Sequence, residues 1–326
     1  MNATDTFAAI GDCILSSTAT ALEQQAALVE FTDLCTSIGG VQPDVCFDAW
    51  SGDSLLNSGV AISPQAAAHC VADVRRTVVY IRGLYAAICA AQIRFATAKT
   101  ALDTEASSAP IPLRILYAGC GPYATLLLPL LHRFAPGTLQ MVLLDIHEES
   151  LNSVQQLIAS AGYAEHDLSL VRADACHYQH PDPLHLIVVE TMQKALEQEP
   201  QVPITRQLAP QLVGEGVLVP QSIDVSLVLQ REGELKRLGA LLSLAANVDL
   251  TSVRVQIPTV AELQQWRAVL HTHITVFGEH QLGVGEAEIT LARLFPELSP
   301  LVAGQCWDIA YKTGPYPCFE ACLVGS

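Results

Sequence analysis

Hydrophobic positions in the first hundred residues recur at the spacing of α-helices. The stretch Thr6–Ile38 is rich in Ala, Leu, Glu and Gln, and Ser63–Pro64 opens a second stretch that runs to about Lys99. In the second stretch, apolar side chains return every three or four residues, as on the buried face of a helix. We therefore expect a helical region over residues 1–105, with a Ser/Pro-containing linker at 103–112.

From residue 113 the pattern changes to short apolar runs that alternate with helical segments. This alternation is typical of a parallel sheet covered by helices. The predicted strands are Arg114–Ala118, Gln140–Asp145, Leu168–Arg172 and Leu184–Glu190. The predicted helices are about Tyr123–Phe134, Glu149–Ser160 and Pro203–Leu212. The sequence therefore predicts a doubly wound α/β domain over residues 106–216.

After residue 217, strand-like runs follow one another closely. The predicted strands are Ile223–Gln230, Thr251–Gln256, Ile274–Phe277, Glu288–Leu291, Trp307–Tyr311 and Phe319–Val324. One interruption, near Glu232–Asn247, is predicted to be helical. The pattern favours an antiparallel, barrel-like β domain over residues 217–326.

Charge and composition narrow the class of protein. With 33 Asp and Glu against 17 Lys and Arg, the net charge of -16 disfavours a nucleic-acid partner, because phosphates are bound by Lys and Arg. The same charge favours a cationic small molecule. The N-terminus lacks the basic region of a signal peptide, so we expect a cytoplasmic protein with reduced cysteines. The longest uncharged apolar run, Ile115–Leu131, is broken by glycine and proline, so no membrane contact is expected.

Three features at the ends of consecutive predicted strands indicate a nucleotide site. The first strand runs into a Gly-Cys-Gly-Pro turn at Gly119 and Gly121, and glycines let the backbone approach a ligand closely. The second ends at Asp145, 24 residues after Gly121, where a carboxylate can accept hydrogen bonds from both ribose hydroxyls. After the third come Asp174 and Ala175, where Asp174 is placed to hold an adenine amino group.

This combination resembles the class I S-adenosylmethionine-dependent methyltransferases, which have a Rossmann-like sheet. Two positions depart from that family: Tyr117 stands where an acidic residue is common, and Tyr123 replaces the third glycine. The alternative is a Rossmann-like domain that binds another nucleotide or none, since a glycine turn by itself also fits nicotinamide and flavin cofactors.

Two glutamates follow the fourth predicted strand, Glu190 at its end and Glu199 nine residues later. This spacing is similar to the double-glutamate loop of the protein arginine methyltransferases, which clamps a guanidinium. The passage Asp73–Tyr80 is similar to that family's Asp-x-x-Arg-Thr-x-x-Tyr, whose arginine pairs with the carboxylate of the cofactor. The resemblance therefore implies S-adenosylmethionine as cofactor, with Arg76 and Tyr80 beside it. It also implies that residues 1–105 contain a helical lid.

The resemblance also bears on the acceptor of the methyl group. Thr272-His273-Ile274 has the histidine of the family's Thr-His-Trp loop without the indole, and the Tyr-Phe-x-x-Tyr motif is absent. We therefore expect a small guanidino or amino compound, with free arginine or an arginine-like metabolite favoured over a protein. Glu190, Glu199 and His273 are the candidate catalytic residues. By analogy, the segment near Glu232–Asn247 is a candidate arm of a homodimer.

Several alternatives stay open at this stage. The position of Glu199 is also consistent with a solvent-exposed residue at the start of a helix. That of His273 is also consistent with an exposed residue at the end of a strand. The methyl group could go to oxygen or carbon of an unrelated metabolite, or the protein could bind the cofactor as a regulator without turnover. Asp174, His177, His180, Asp182 and His185 lie close in sequence, but nearby prolines and the lack of an i, i+4 pair argue against a metal site.

Overall fold

The computed structural model describes residues 2–44, 52–99 and 112–325. The linker expected at 103–112, apart from residue 112, and the domain boundary expected at 105/106 lie outside the described residues. The N-terminal elements are α1 (Ala3–Leu15), α2 (Ala21–Gly39), the strands β1 (Ser54–Leu56) and β2 (Gly59–Ala61), α3 (Pro64–His69) and α4 (Val74–Lys99). The β1–β2 hairpin is absent from the sequence prediction.

Polar caps divide the helical stretch that the sequence predicts as Thr6–Ile38. The Thr20 side chain accepts from the backbone N–H of Glu23, while the Glu23 carboxylate accepts from the N–H of Thr20. This reciprocal capping starts α2, and Gly40 ends it in the left-handed conformation at φ 79°. The stretch predicted as one helix therefore forms two. The Ser/Thr-rich segment between them provides a side chain that accepts from the free N–H groups at the start of α2.

A parallel sheet forms the centre of the molecule. Its strands are β3 (Leu113–Ala118), β4 (Leu139–Asp145), β5 (Asp167–Arg172), β6 (Leu184–Val189) and β7 (Leu212–Val219), and the helices between them are α5 (Glu148–Ser160) and α6 (Gln201–Leu208). The order is β5-β4-β3-β6-β7, with all neighbours parallel. Apolar side chains on one face pack with α4 and α5, and those on the other face pack with α6. The predicted doubly wound fold is confirmed, although β7 continues beyond the predicted domain end at residue 216, and the strand order reverses between β3 and β6.

The helix predicted at about Tyr123–Phe134 is wrong. Residues 121–127 form turns, and a 3-10 helix follows at Leu128–Arg133. Ala124 has a positive φ of 41°, and Pro129 has no N–H to give to a helix. The apolar side chains of the segment are nevertheless buried. The hydrophobic pattern therefore predicts correctly that the segment belongs to the core, but not its backbone conformation.

The C-terminal region consists of two antiparallel sheets. Its strands are β8 (Ser222–Arg231), β9 (Glu234–Leu244), β10 (Val253–Gln256), β11 (Arg267–Phe277), β12 (His280–Leu282), β13 (Arg293–Leu294), β14 (Cys306–Lys312) and β15 (Cys318–Leu323). One sheet has the order β12-β11-β8-β9, with β13 also on β11, and the other has the order β10-β14-β15. The sheets contact each other where β9 meets β10 and β14. The predicted antiparallel β domain is confirmed.

Two local predictions in this domain are wrong. The segment near Glu232–Asn247 is mostly strand β9, which pairs with β8 across a tight turn at Gly233, φ 74°. It therefore supplies no helical arm for a dimer. The predicted strand Glu288–Leu291 is instead a single 3-10 turn at Glu288–Thr290. In β9 the first residues are exposed, which removes the alternation of buried and exposed positions that identifies a strand.

Helix α4 packs between the two domains, against β6 and β7 on one side and β11 and β12 on the other. Among the described residues, its stretch Val74–Phe95 is long and apolar enough to cross a membrane by length and composition. The expectation of no membrane contact is based on the uncharged run Ile115–Leu131, which does not include this helix. Half of the stretch is buried in the protein, so packing between two domains accounts for its composition.

Gly83 gives a test of this packing. A Cβ at Gly83 would collide with the buried side chain of Val276 on β11. We expect Gly83→Ala to lower the free energy of unfolding in urea by about 1–3 kcal/mol, because the β-branched valine has little freedom to move. Gly239→Ala is the control, since a Cβ there meets nothing within 4 Å. Equal losses in the two variants would contradict the close contact.

Candidate active site

A cavity of about 600 Å³ opens at the carboxyl ends of β3 and β6. This is the position where the strand order of the parallel sheet reverses, and open α/β sheets bind ligands there. Eight of the ten residues that the sequence predicts for the site line this cavity. They are Arg76, Gly119, Gly121, Asp145, Asp174, Ala175, Glu190 and Glu199. The remaining two, Tyr80 and His273, are not among the lining residues.

The glycine turn after β3 requires glycine at two positions. Gly119 and Gly121 have φ values of 71° and 63°, which glycine adopts without strain. A Cβ on Gly119 would also collide with the side chain of Thr191, which follows Glu190. The turn therefore brings the backbone after β3 close to the backbone after β6, and both border the cavity.

Asp145 is buried and held by two backbone groups. One carboxylate oxygen accepts from the N–H of Gly121 at 2.9 Å, and the other accepts from the N–H of His147 at 2.8 Å. A carboxylate has about four lone-pair positions, so each oxygen keeps capacity for one further donor. The carboxylate is thus fixed in orientation, lines the cavity and can accept two hydroxyl groups side by side.

Asp174 shapes the loop after β5. Its carboxylate accepts from the backbone N–H of Cys176 at 2.9 Å and lies 3.0 Å from Nδ1 of His177. The buried side chain of Ala175 and that of Ile204 on α6 add apolar surface to the same part of the cavity. This region offers one carboxylate beside an apolar floor, which suits a flat heterocycle with an exocyclic amino group.

Arg76 and Glu190 form a buried ion pair across the cavity wall. Nε of Arg76 lies 3.1 Å from one Glu190 oxygen, and a terminal guanidinium nitrogen donates to the other. Arg76 also donates to the carbonyl of Cys70 at 3.2 Å. Asp73 starts α4 by accepting from the N–H of Arg76, so the helix end and the arginine are positioned together. Within the described parts of the chain, these contacts use three of the five guanidinium N–H groups, which leaves two for a ligand.

Glu199 is a buried carboxyl group that forms no ion pair with a described residue, although the nearby charge of Arg76 acts to lower its pKa. Its residue is 4% exposed, and its Oε1 has no hydrogen-bond partner within the described parts of the chain. Burial, together with the neighbouring Glu190 carboxylate, raises the pKa of Glu199 to about 8, while a hydrogen bond from Gln193 acts in the opposite direction. Burying an uncompensated charge is costly, so the side chain is prepared to receive a cation or a proton.

The loop between the two glutamates is strained and externally supported. Ala195, Leu196 and Gln198 have positive φ values of 57°, 61° and 70°, each costing about 1 kcal/mol or more for a side chain with a Cβ. The C-terminal domain holds this backbone: the Tyr311 hydroxyl donates to the carbonyl of Leu196, and the N–H of Gln198 donates to the carbonyl of Pro317, both at 2.7 Å. Such strain is maintained when surrounding contacts fix the conformation.

Tyr80 and His273 lie outside the cavity wall in different ways. Tyr80 is fully buried one helical turn after Arg76, and burial, assisted by the Glu190 carboxylate, raises its pKa well above the ordinary value. The Tyr80 hydroxyl is thus close enough to the Arg76–Glu190 pair to feel its charges, but it makes no hydrogen bond within the described residues. His273 lies within β11, opposite Asp224 of β8. The segment of the β domain that borders the cavity is instead Glu288–Thr290, whose first N–H donates to Asp73 at 2.7 Å.

Sequence reasoning missed three parts of the site. These are the β1–β2 hairpin, Gln193 beside Glu199, and the turn Glu288–Thr290 with the neighbouring Leu291. The available signal for the hairpin was the pair Asn57-Ser58 between short apolar runs, which is typical of a turn. The Glu288–Thr290 turn has no such signal, because three residues are too few for a periodic pattern.

No family model matches the chain, and no curated protein matches it in sequence. Solved structures with a similar fold include a Trypanosoma brucei PRMT1 enzyme-prozyme heterotetrameric complex with AdoHcy, 11% identical, covering 79% of this chain and 92% of that chain, with a TM-score of 0.47. Arabidopsis thaliana Protein Arginine Methyltransferase 10 is 8% identical, covering 78% of this chain and 96% of its own, also with a TM-score of 0.47. At these values, function has to be argued from the cavity itself.

The burial of Glu199 predicts how stability depends on pH. Its pKa is about 8 in the folded protein against an ordinary value of 4.5, so folding favours the protonated form. That contribution is complete below about pH 4.5 and is lost as the pH rises towards 8. We expect Glu199→Gln to exceed the wild type in free energy of unfolding by a few kcal/mol at pH 9, and to match it near pH 4.5.

Urea denaturation at both pH values measures this difference. Glu279→Gln, which removes an exposed carboxylate from a turn, is the control and should change stability little at either pH. A Glu199→Gln difference that stays the same at pH 4.5 and pH 9 would show that Glu199 carries no raised pKa.

Proposed function

We propose that this protein is an S-adenosylmethionine-dependent methyltransferase that acts on a nitrogen of a small guanidino or amino compound, with free arginine or an arginine-like metabolite favoured. The observation that supports this proposal most directly concerns Oε1 of Glu199. This atom is buried and has no hydrogen-bond partner among the described residues, and Glu199 lines the same cavity as Glu190. Arg76 already neutralises Glu190, so ionisation of Glu199 leaves one negative charge on the pair of glutamates to be balanced. A bound cation removes that imbalance.

The part of the cavity around Asp145 and Asp174, called here its nucleoside half, fits the cofactor. Asp145 keeps one free acceptor position on each oxygen, which matches two ribose hydroxyls, and Asp174 with Ala175 matches an adenine amino group and ring. Two N–H groups of Arg76 remain for the methionine carboxylate. When bound, S-adenosylmethionine supplies a methyl group on a positively charged sulfur.

The two glutamates fit the acceptor. A guanidinium is planar, stays protonated far above neutral pH and presents N–H donors in a fork, so two carboxylates can hold it in one orientation. Glu190 retains acceptor capacity beyond its bonds to Arg76 and orients the reacting nitrogen, while Glu199 holds the opposite edge. Holding the nitrogen in line with the methyl group lowers the entropic part of the barrier.

The dimensions of the cavity favour a small acceptor. A volume of about 600 Å³ is within the range of a site for one drug-sized ligand, and the cofactor itself is of that size. The hairpin and the turn that contains Glu288 and Ile289 also border this cavity, and a small guanidine beside the cofactor suits such a site.

The activity test uses the wild type and three variants. The protein is incubated with S-adenosylmethionine and arginine, agmatine, guanidinoacetate or a histone peptide, and release of S-adenosylhomocysteine is measured. We expect turnover with a small guanidine, and a fall of about 100-fold in kcat/KM for Glu199→Gln, because a buried charge pair is lost. Calorimetry should show unchanged cofactor binding in that variant. Asp145→Ala should lose cofactor binding, and Glu279→Gln should behave as the wild type.

The outcomes separate the parts of the proposal. Retained guanidine turnover in Glu199→Gln would exclude the clamp while leaving the cofactor assignment intact. Cofactor binding that survives Asp145→Ala would exclude the nucleoside site. Cofactor binding with no turnover of any acceptor would identify a regulator in place of an enzyme.

The pH dependence gives a further test with a guanidine as acceptor. Because the acceptor stays charged over the whole range, ionisation of Glu199 governs its capture. We expect kcat/KM to rise with pH and to level off above about pH 8, the pKa of Glu199 in the free protein. The kcat profile should level off at lower pH, since a bound cation favours the ionised carboxylate. A flat kcat/KM profile between pH 6 and 9 would refute this role for Glu199.

A further inference from the structure

The β1–β2 hairpin, residues 54–61, touches both loops that border the nucleoside half of the cavity. The hydroxyl of Ser54 lies 3.3 Å from Nε2 of His147, two residues beyond Asp145. At the other end, the buried Ser58 hydroxyl is close enough to the thiol of Cys176, two residues beyond Asp174, to act on its pKa, although it forms no hydrogen bond within the described residues. Ser54 and Ser58 therefore mark the hairpin's position over the two carboxylates that suit a ribose and an adenine.

Leu56 lies midway between these two contacts. Its side chain lines the cavity, whereas the preceding Leu55 points outward and is 58% exposed, as expected for neighbours in a strand. Val60 of the partner strand also lines the cavity, and it is buried. Ala175 and Ile204 are buried and line the same cavity, so apolar side chains border a space that suits a flat ring.

The hairpin also rests on the glutamate loop. The N–H of Val60 donates to the carbonyl of Gln198 at 2.8 Å. Gly59 packs so closely that a Cβ there would lie 2.9 Å from backbone atoms of Gln198, Glu199 and Pro200. The hairpin is thus fixed to the loop that carries Glu199, and it cannot shift as an independent flap without breaking this contact.

We propose that the β1–β2 hairpin is the roof of the nucleoside half of the cavity, with Leu56 packed on the adenine ring. This inference rests on the cofactor assignment made above. It adds a cofactor-binding element that lies outside the glycine turn and the two aspartates. The same hairpin joins the nucleoside half to the Glu199 loop, so a bound adenine stabilises the backbone that holds the acceptor.

Calorimetry with two ligands tests the roof. The probes are S-adenosylmethionine and 5′-methylthioadenosine, which has the nucleoside but lacks the amino acid part. We expect Leu56→Ala to weaken both by about 10-fold, because each ligand loses the apolar contact of one leucine side chain. Leu55→Ala, the matched control on the outer face of the same strand, should bind both as the wild type does. Leu56→Val repeats the test with a smaller perturbation and should give a smaller loss of the same kind.

Each outcome decides the proposal. Parallel losses for both ligands in Leu56→Ala, with none in Leu55→Ala, support it. Unchanged affinities in Leu56→Ala overturn the roof and leave the cofactor assignment standing. A loss for S-adenosylmethionine alone would place Leu56 at the amino acid half, which also overturns it. If the wild type binds neither probe, the cofactor assignment fails and the roof fails with it.

Discussion

The ion pair between Arg76 and Glu190 is the interaction on which the arrangement of the site depends. It joins the start of α4 to the end of β6, and both side chains are largely removed from water. Two buried charges are tolerated because each satisfies the other with two hydrogen bonds. Since Arg76 is engaged with Glu190, no cation among the described residues forms an ion pair with Glu199 when Glu199 ionises. The chemistry proposed for the cavity follows from that imbalance.

Positioning of Glu199 costs conformational energy that distant parts of the chain offset. Three residues with a Cβ adopt left-handed backbone conformations in the glutamate loop. Tyr311 and the carbonyl of Pro317 supply hydrogen bonds from the β domain, and Val60 supplies one from the N-terminal hairpin. The conformation is therefore a property of the assembled chain, since the loop by itself would relax to less strained angles.

The sequence alone predicts the parallel domain and most of the residues that line the cavity. Both follow from the alternation of strands and helices along the chain and from the residues at the strand ends. Gly119, Asp145 and Glu190 are predictable because each follows a strand of a parallel sheet, and such strand ends meet at one edge. His273 is predicted from a matched tripeptide, and the structure adds that it lies in β11 opposite Asp224 of β8, outside the residues that line the cavity. Register across antiparallel strands depends on turns and on the rest of the sheet, which a short motif does not encode.

Gly59 packs closely on the backbone of Gln198, Glu199 and Pro200, and this contact limits which residues the chain can accept at position 59. A side chain larger than hydrogen at Gly59 would push on the peptide that carries the acceptor-binding carboxylate. The N-terminal segment and the glutamate loop are therefore constrained to change together, although more than a hundred residues separate them in sequence. A graft of the parallel domain onto a different N-terminal region would inherit the glycine turn and the two aspartates, but would lack both the hairpin beside them and the surface that shapes Glu199.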